Sequence, residues 1–461
     1  MRSNSVSPTD LIIVIPGIMG STLAKDGKPF WSNKIGALVD TIFHHNRNID
    51  YLRVPESLGD EHPGDGVTPT GLMGNIHVVP GLWSPVQGYG ALVDRLRKIG
   101  FRDATDGPSV APNLVLFPYD WRLSNRFNAR HLKAVAEGAL QRWRESSPHN
   151  RDARVTFVCH SMGGLIARWY IAAEGGAEIT NKLITFGTPY RGSLKSVATL
   201  ADGPVPWLAK VGVDLHSAVL SLPSAHQLLP SYACVERDGE LHHIDGLEIP
   251  GVPTAAINDA VDFYHRLETA ELQTSNAPTR HAIIGTKQPT ATSLVVAHGQ
   301  RVVHNTLNGV DHGGDGTVPA ASIPKGVQLD DNTLRRVAEK HGSLQTNRAA
   351  LDEMEAILTS RPVTFKASDD TDISVAAPEI VGTREPVTIG ISCEHIPQAV
   401  VVSVTDELGT THSRFNRIIR ESNQTVAIPA LPPGGHIIQV RAAHSSQTLG
   451  VSSPLLVWPS E

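Results

Sequence analysis

The sequence predicts an α/β protein, a largely parallel sheet flanked by helices, followed by a smaller all-β domain. Two patterns and the chain length predict it. Through residue 360, short apolar runs bounded by Gly and Pro alternate with longer stretches of helical period, the pattern of strands and crossover helices. From Pro362 onward the runs are short and alternate residue by residue, as in half-buried strands. With 461 residues against the roughly 100 to 200 of a usual domain, two domains are expected. Their expected limits are 1–360 and 362–461.

The first strand is Leu11-Ile12-Ile13-Val14-Ile15, directly after a polar N-terminus; it is too short for a signal-peptide core and lacks a cleavage site. Further strands are expected at 113–117, 154–159, 183–186 and 281–284. Between them Leu132, Val135, Ala136, Ala139, Leu140 and Trp143 recur at three- and four-residue spacing, which lines one face of a helix. Leu344, Leu351, Met354 and Leu358 form a second stripe, the last helix of the first domain. Residues 22–88, rich in Gly and Pro, and residues 194–280 fit neither pattern and read as insertions that cap or lid a site. In the tail, Val387, Ile389 and Ile391, then Val400, Val402 and Val404, then Ile438, Val440 and Ala442 face one way, with Pro432-Pro433-Gly434-Gly435 as a turn. About seven strands in roughly 100 residues suit an immunoglobulin-like β-sandwich.

Composition narrows function. Hydrophobic residues make up 40% and charged residues 19%, and no tract is apolar and long enough to cross a bilayer. The formal charge of -6 gives no basic surplus for a polyanion, so nucleic acid is not expected as a partner. Three scattered cysteines, Cys159, Cys234 and Cys393, have no metal-ligand spacing and suit a reducing compartment, with the cytoplasm as the default.

The chemistry centres on one turn. Strand Val155-Thr156-Phe157-Val158-Cys159 runs into His160-Ser161-Met162-Gly163-Gly164, and Leu165-Ile166-Ala167-Arg168 begins a helix. Strand, sharp turn, serine and helix form a nucleophile elbow, in which the hydroxyl stands exposed at a helix N-terminus. Cys159 occupies the place of the first glycine in the common G-x-S-x-G pattern and is a small substitute for it. A serine hydroxyl needs a histidine base, and the base needs a carboxylate to fix its tautomer. The chain order in this fold is Ser, acid, His. Asp315 in Gly314-Asp315-Gly316-Thr317-Val318-Pro319 suits the acid, although Asp-Gly is also an ordinary turn signal. His341, in Lys340-His341-Gly342-Ser343 before the final helix, suits the base. His298, His304 and His312 precede Asp315 and break the order, and His160 sits beside the serine pointing elsewhere.

The oxyanion of acyl transfer needs two backbone N–H donors, one from the residue after the nucleophile, Met162. For the second, Ile18 is favoured, in the glycine-bracketed turn Ile15-Pro16-Gly17-Ile18-Met19-Gly20-Ser21; a plain strand-ending turn is the alternative. This chemistry calls for no metal or organic cofactor.

With these residues in place the chain resembles the lecithin:cholesterol acyltransferase family, which includes phospholipid:diacylglycerol acyltransferases and lysosomal phospholipase A. The resemblance rests on an ordered series across most of residues 11–345: Val14 to Ser21, Gly88-Tyr89-Gly90 with Leu92-Val93, Pro118-Tyr119-Asp120-Trp121-Arg122, His160-Ser161-Met162-Gly163, Phe186 to Ser193, Pro223-Ser224 with Leu228-Leu229-Pro230, Gly314 to Pro319, and His341. It implies an α/β-hydrolase fold with cap insertions, Ser161, Asp315 and His341 as triad, Ile18 and Met162 as oxyanion donors, and acyl esters of lipids as substrates. Three features depart from the family: Cys159 replaces a glycine, no cysteine pair is present for the lid disulfide of secreted members, and the β-rich tail is an addition. Pro118 to Arg122 reads either as a structural corner, with Arg122 paired to a carboxylate, or as part of the site. The segment 198–229, with Trp207-Leu208-Ala209, Val219 and Leu220, reads either as a cap lining an acyl pocket or as a contact with a membrane surface. Phospholipase and acyltransferase are equally compatible with these residues. A lapsed hydrolase that recruits a partner through its β-sandwich is the competing class.

Overall fold

The computed structural model describes residues 8–32, 50–56, 58–74, 87–107, 111–204, 215–324, 333–360, 373–443 and 450–458. Trp207-Leu208-Ala209, parts of both insertions and Pro362 lie outside them.

Among the described residues six parallel strands form the central sheet: β1 Leu11–Ile15, β2 Leu114–Leu116, β3 Val155–His160, β4 Thr180–Phe186, β5 Thr279–Gly285 and β6 Leu334–Val337, in the order β6-β5-β4-β3-β1-β2. Parallel strands buried on both faces read as continuous apolar runs, and β1 and β3 do. Alternate residues still divide between two cores. Leu11, Ile13, Ile15, Phe157 and Cys159 belong to one, with helices α2 Asn125–Glu145, α3 Gly163–Ala173 and α4 Thr254–Gln273. Ile12, Val14, Val158 and Ile184 belong to the other, with α1 Gly90–Ile99 and α5 Arg348–Thr359. This is the α/β-hydrolase layering expected from the sequence.

Strand β6 is absent from the sequence expectations. Its Leu334-Arg335-Arg336-Val337 is a short edge strand with charges at its centre and offers no apolar run to read. The last helix starts later than its stripe suggests. Asn347 caps α5 by accepting from the N–H of Ala349 at 2.8 Å and of Ala350 at 3.2 Å. Leu344 is therefore buried in the preceding turn.

The segment 194–280 is not all cap. Helices Leu194–Asp202, Leu215–Leu220 and Pro223–His226 pack on one another, and the flanking Ser193 and Leu228 lie beside Ser161. Helix α4 instead packs on α3, with Phe263 stacked on Trp169 at 5.4 Å between ring centroids. Within residues 22–88 the described parts include an antiparallel sheet of Ser21–Lys25, Lys28–Trp31 and Val67–Leu72.

Among the described residues after α5, eight strands form two antiparallel-rich sheets. They are β7 Ile373–Ala376, β8 Ile380–Gly382, β9 Val387–Cys393, β10 Gln398–Asp406, β11 Thr411–Ile419, β12 Gln424–Ile428, β13 Gly434–Ala442 and β14 Gly450–Trp458, ordered β7-β9-β12 and β8-β14-β13-β10-β11. Val387, Ile389, Ile391, Val400, Val402, Val404, Ile438 and Val440 share the core between the sheets, so the tail is a β-sandwich. It does not stand apart: Ile437, Leu456 and Trp458 join the apolar core of the first domain.

Candidate active site

At the end of β3 the chain turns through Ser161 at φ 51°, left-handed backbone that a serine adopts only when its surroundings impose it. Helix α3 begins two residues later. The tightness of the turn explains Gly163: a Cβ there would meet the carbonyl oxygens of Pro16 at 2.5 Å and Ile15 at 2.6 Å. Gly17 has the same role on the facing loop, since a Cβ would lie 2.9 Å from the Ser161 Cβ.

The structure brings Ser161, Asp315 and His341 together. His341 Nε2 lies 2.8 Å from Ser161 Oγ, and Nδ1 lies 2.8 Å from Asp315 Oδ2. A carboxylate only accepts, so Nδ1 carries the proton and Nε2 is free to accept from the serine hydroxyl. The other Asp315 oxygen accepts from the N–H groups of Thr317 at 2.9 Å and Val318 at 2.6 Å. The Gly316 turn thus orients the carboxylate. A backbone bond from His341 N–H to the Asp315 carbonyl, 2.8 Å, ties the two loops together.

Ile18 lies in the turn expected of it. Gly20 N–H donates to the Gly17 carbonyl at 3.0 Å, and Met19 is held at φ 62°. Among the described residues the Ile18 and Met162 N–H groups have no hydrogen-bond acceptor. Ile18 and Ser161 line one small space, and an oxyanion would require such free donors. The Pro118–Arg122 stretch is a structural corner. Arg122 is fully buried and paired with Asp120 at 2.7 Å and Asp65 at 2.8 Å. Its neighbours brace the Ile18 turn: Tyr119 Oη donates to the Pro16 carbonyl at 2.9 Å, and Trp121 Nε1 to the Ser21 carbonyl at 3.2 Å.

His160 does more than the sequence suggested. Gly17 N–H donates to Tyr89 Oη at 2.8 Å, and Tyr89 Oη lies 3.0 Å from His160 Nδ1. His160 Nε2 lies 3.2 Å from the His341 carbonyl. A carbonyl only accepts, so Nε2 bears the proton and Nδ1 accepts from Tyr89. One unbroken chain of bonds therefore runs from the Ile18 loop to the His341 loop. Burial, then the neighbouring His341, pushes the His160 pKa down to about 3, which keeps the ring neutral. Gly88-Tyr89-Gly90 was visible in the sequence, but nothing there linked it to His160.

Ser161 is buried, and the space beside it is about 20 Å³, lined by Ile18, Pro189, Ser193, Leu228, Val318 and His341 among others. That is room for about one water.

A parallel sheet that delivers a serine on a strained strand-to-helix turn defines a protein of the α/β-hydrolase class. Within that class, residues 83–239 match the family model "Lecithin:cholesterol acyltransferase", which shows over that stretch the resemblance read from the motifs. No curated protein matches the chain. Among solved structures, a chain of the Tle4–Tli4 complex is 16% identical, with 76% of this chain and 98% of that chain covered and a TM-score of 0.49. The mature form of the Bacillus licheniformis lipase BlEst2 is 12% identical, with 76% and 92% covered and a TM-score of 0.35. The phospholipase PlaB from Legionella pneumophila is 12% identical, with 83% and 88% covered and a TM-score of 0.27.

Proposed function

We propose that the protein is a serine-dependent hydrolase or acyltransferase of lipid acyl esters, with Ser161 as nucleophile, His341 as base and Asp315 as its orienting acid. The observation that carries this is the pair of 2.8 Å contacts from one imidazole to the elbow serine and to a buried carboxylate. His341 Nε2 takes the proton as Ser161 Oγ attacks the ester carbonyl, and the N–H groups of Ile18 and Met162 hold the oxyanion. Collapse expels the alcohol, which receives that proton from His341, and leaves an acyl-serine. Water or a second alcohol, deprotonated by the same imidazole, then takes the acyl group and regenerates the serine. Lipid as the substrate class rests on the family match over residues 83–239.

The competing reading, a lapsed hydrolase, is disfavoured by a triad whose every hydrogen bond is formed. Three scattered, buried cysteines with no metal-ligand spacing support a reducing compartment such as the cytoplasm. Replacing Ser161 with Ala is expected to abolish labelling by a fluorophosphonate probe while the unfolding midpoint stays near that of the parent. Labelling that persists in Ser161→Ala removes the assignment. Product analysis on mixed phospholipids, with and without an added long-chain alcohol, separates hydrolysis from transfer: free fatty acid in both arms means hydrolase, and a new ester in the second means acyltransferase.

A further inference from the structure

We infer that the C-terminal β-sandwich is a working part of the active site, gripping the acid loop and the base loop through the backbone edges of β7 and β14 and so setting the position of His341 against Ser161. This rests on the triad reading above and adds positioning residues to it.

The grip on the base loop is the tighter one. Ser452 in β14 turns its N–H and C=O towards the first domain. The N–H donates to Glu339 Oε1 at 2.7 Å, and the C=O accepts from Ser343 Oγ at 3.0 Å. Lys340 Nζ donates to Ser453 Oγ at 2.9 Å. Residues 339, 340 and 343 thus bracket His341 on both sides, and all three are bound to two consecutive residues of one strand. Glu339 is almost wholly buried. It also accepts from the Lys340 N–H at 2.9 Å and from Asn347 Nδ2 at 3.0 Å. Because the Asn347 Oδ1 caps α5, one carboxylate joins helix, base loop and sandwich. Burial raises the Glu339 pKa to about 7 against the pull of these donors, so the group is costly to bury and needs the contacts it has.

The acid loop is held in the same manner. The Gln288 N–H donates to the Gly314 carbonyl at 3.0 Å, directly before Asp315. Its side-chain amide pairs with the edge of β7, accepting from Val375 N–H at 3.1 Å and donating to the Ile373 carbonyl at 3.4 Å. Both triad loops are therefore anchored to a second domain by strand edges. Elsewhere, Lys195 pairs with Glu379 across the same interface, close enough to Lys340 for both charges to act on it.

A catalytic hydrogen bond misplaced by about 1 Å can cost up to roughly a hundredfold in rate. The test uses the full-length protein and a soluble short-chain p-nitrophenyl ester. Ser343→Ala and Gln288→Ala, singly and together, remove side chains that reach the sandwich and do not touch the reacting atoms. Each is expected to lower kcat and the rate of fluorophosphonate labelling about tenfold, the pair by more, with KM within about twofold. Ser343→Thr, which keeps the hydroxyl, is expected to restore the rate. All are measured on the folded fraction, with unfolding midpoints recorded in parallel, and Ser452→Pro deletes the donor to Glu339 as a second variant. Parent-like labelling and kcat in the Ser343/Gln288 pair and in Ser452→Pro overturn the inference while leaving the triad intact. Failure of the triad reading looks different, because Ser161→Ala then still labels.

Discussion

His160 gives a residue-scale test that does not depend on turnover. Its pKa is about 3 in the folded protein against an ordinary 6.5, so the unfolded chain takes up a proton that the native state refuses. Its contribution to stability is complete above pH 6.5 and is lost as the pH falls towards 3, at a limiting slope of roughly 1.4 kcal/mol per pH unit. Gln can donate to the His341 carbonyl and accept from Tyr89 without titrating. In His160→Gln, urea unfolding across this range is expected to show a shallower pH dependence than in the parent; equal slopes would mean that His160 is protonated in the native state. At this scale the chain order of serine, acid and histidine was legible because acyl transfer demands those three side-chain types. His160 was not legible, because its role comes from where Tyr89 and the His341 carbonyl lie.

Among the elements, the turn between β3 and α3 is the most constrained. A methyl group at Gly163 collides with backbone carbonyls rather than with a side chain able to swing away. Gly163→Ala is therefore expected to cost about 1–3 kcal/mol and to slow fluorophosphonate labelling at least tenfold, since the displaced atoms belong to the loop that carries Ile18. A parent-like melting temperature and labelling rate would show that the loop yields freely. The long apolar strands and amphipathic helices could be read from periodicity. The edge strand β6 could not, and the start of α5 is decided by the Asn347 cap rather than by its apolar stripe.

For the whole molecule, the shared core is the decisive feature. Ile437, Leu456 and Trp458 of the sandwich are buried in the same cluster as the helices of the first domain, and polar clamps at Ser452 and Gln288 join the same two domains. Unfolding of either part would expose apolar surface of the other, so calorimetry is expected to give one transition with no separate melting of the sandwich. Two resolved transitions would show that the interface adds little stability.

Taken by itself, the sequence determined the layered α/β class, the β-rich tail, the elbow serine and the order of its partners, because periodicity and reactive side-chain types are local or ordinal properties. Only the tertiary structure decided that His341 meets Ser161 across 180 residues of chain, that Arg122 is a corner, and that a second domain holds the catalytic loops. The sandwich's clamps end on backbone N–H and C=O groups of Ser452, Val375 and Ile373, which nearly every residue carries and which leave no mark in the sequence.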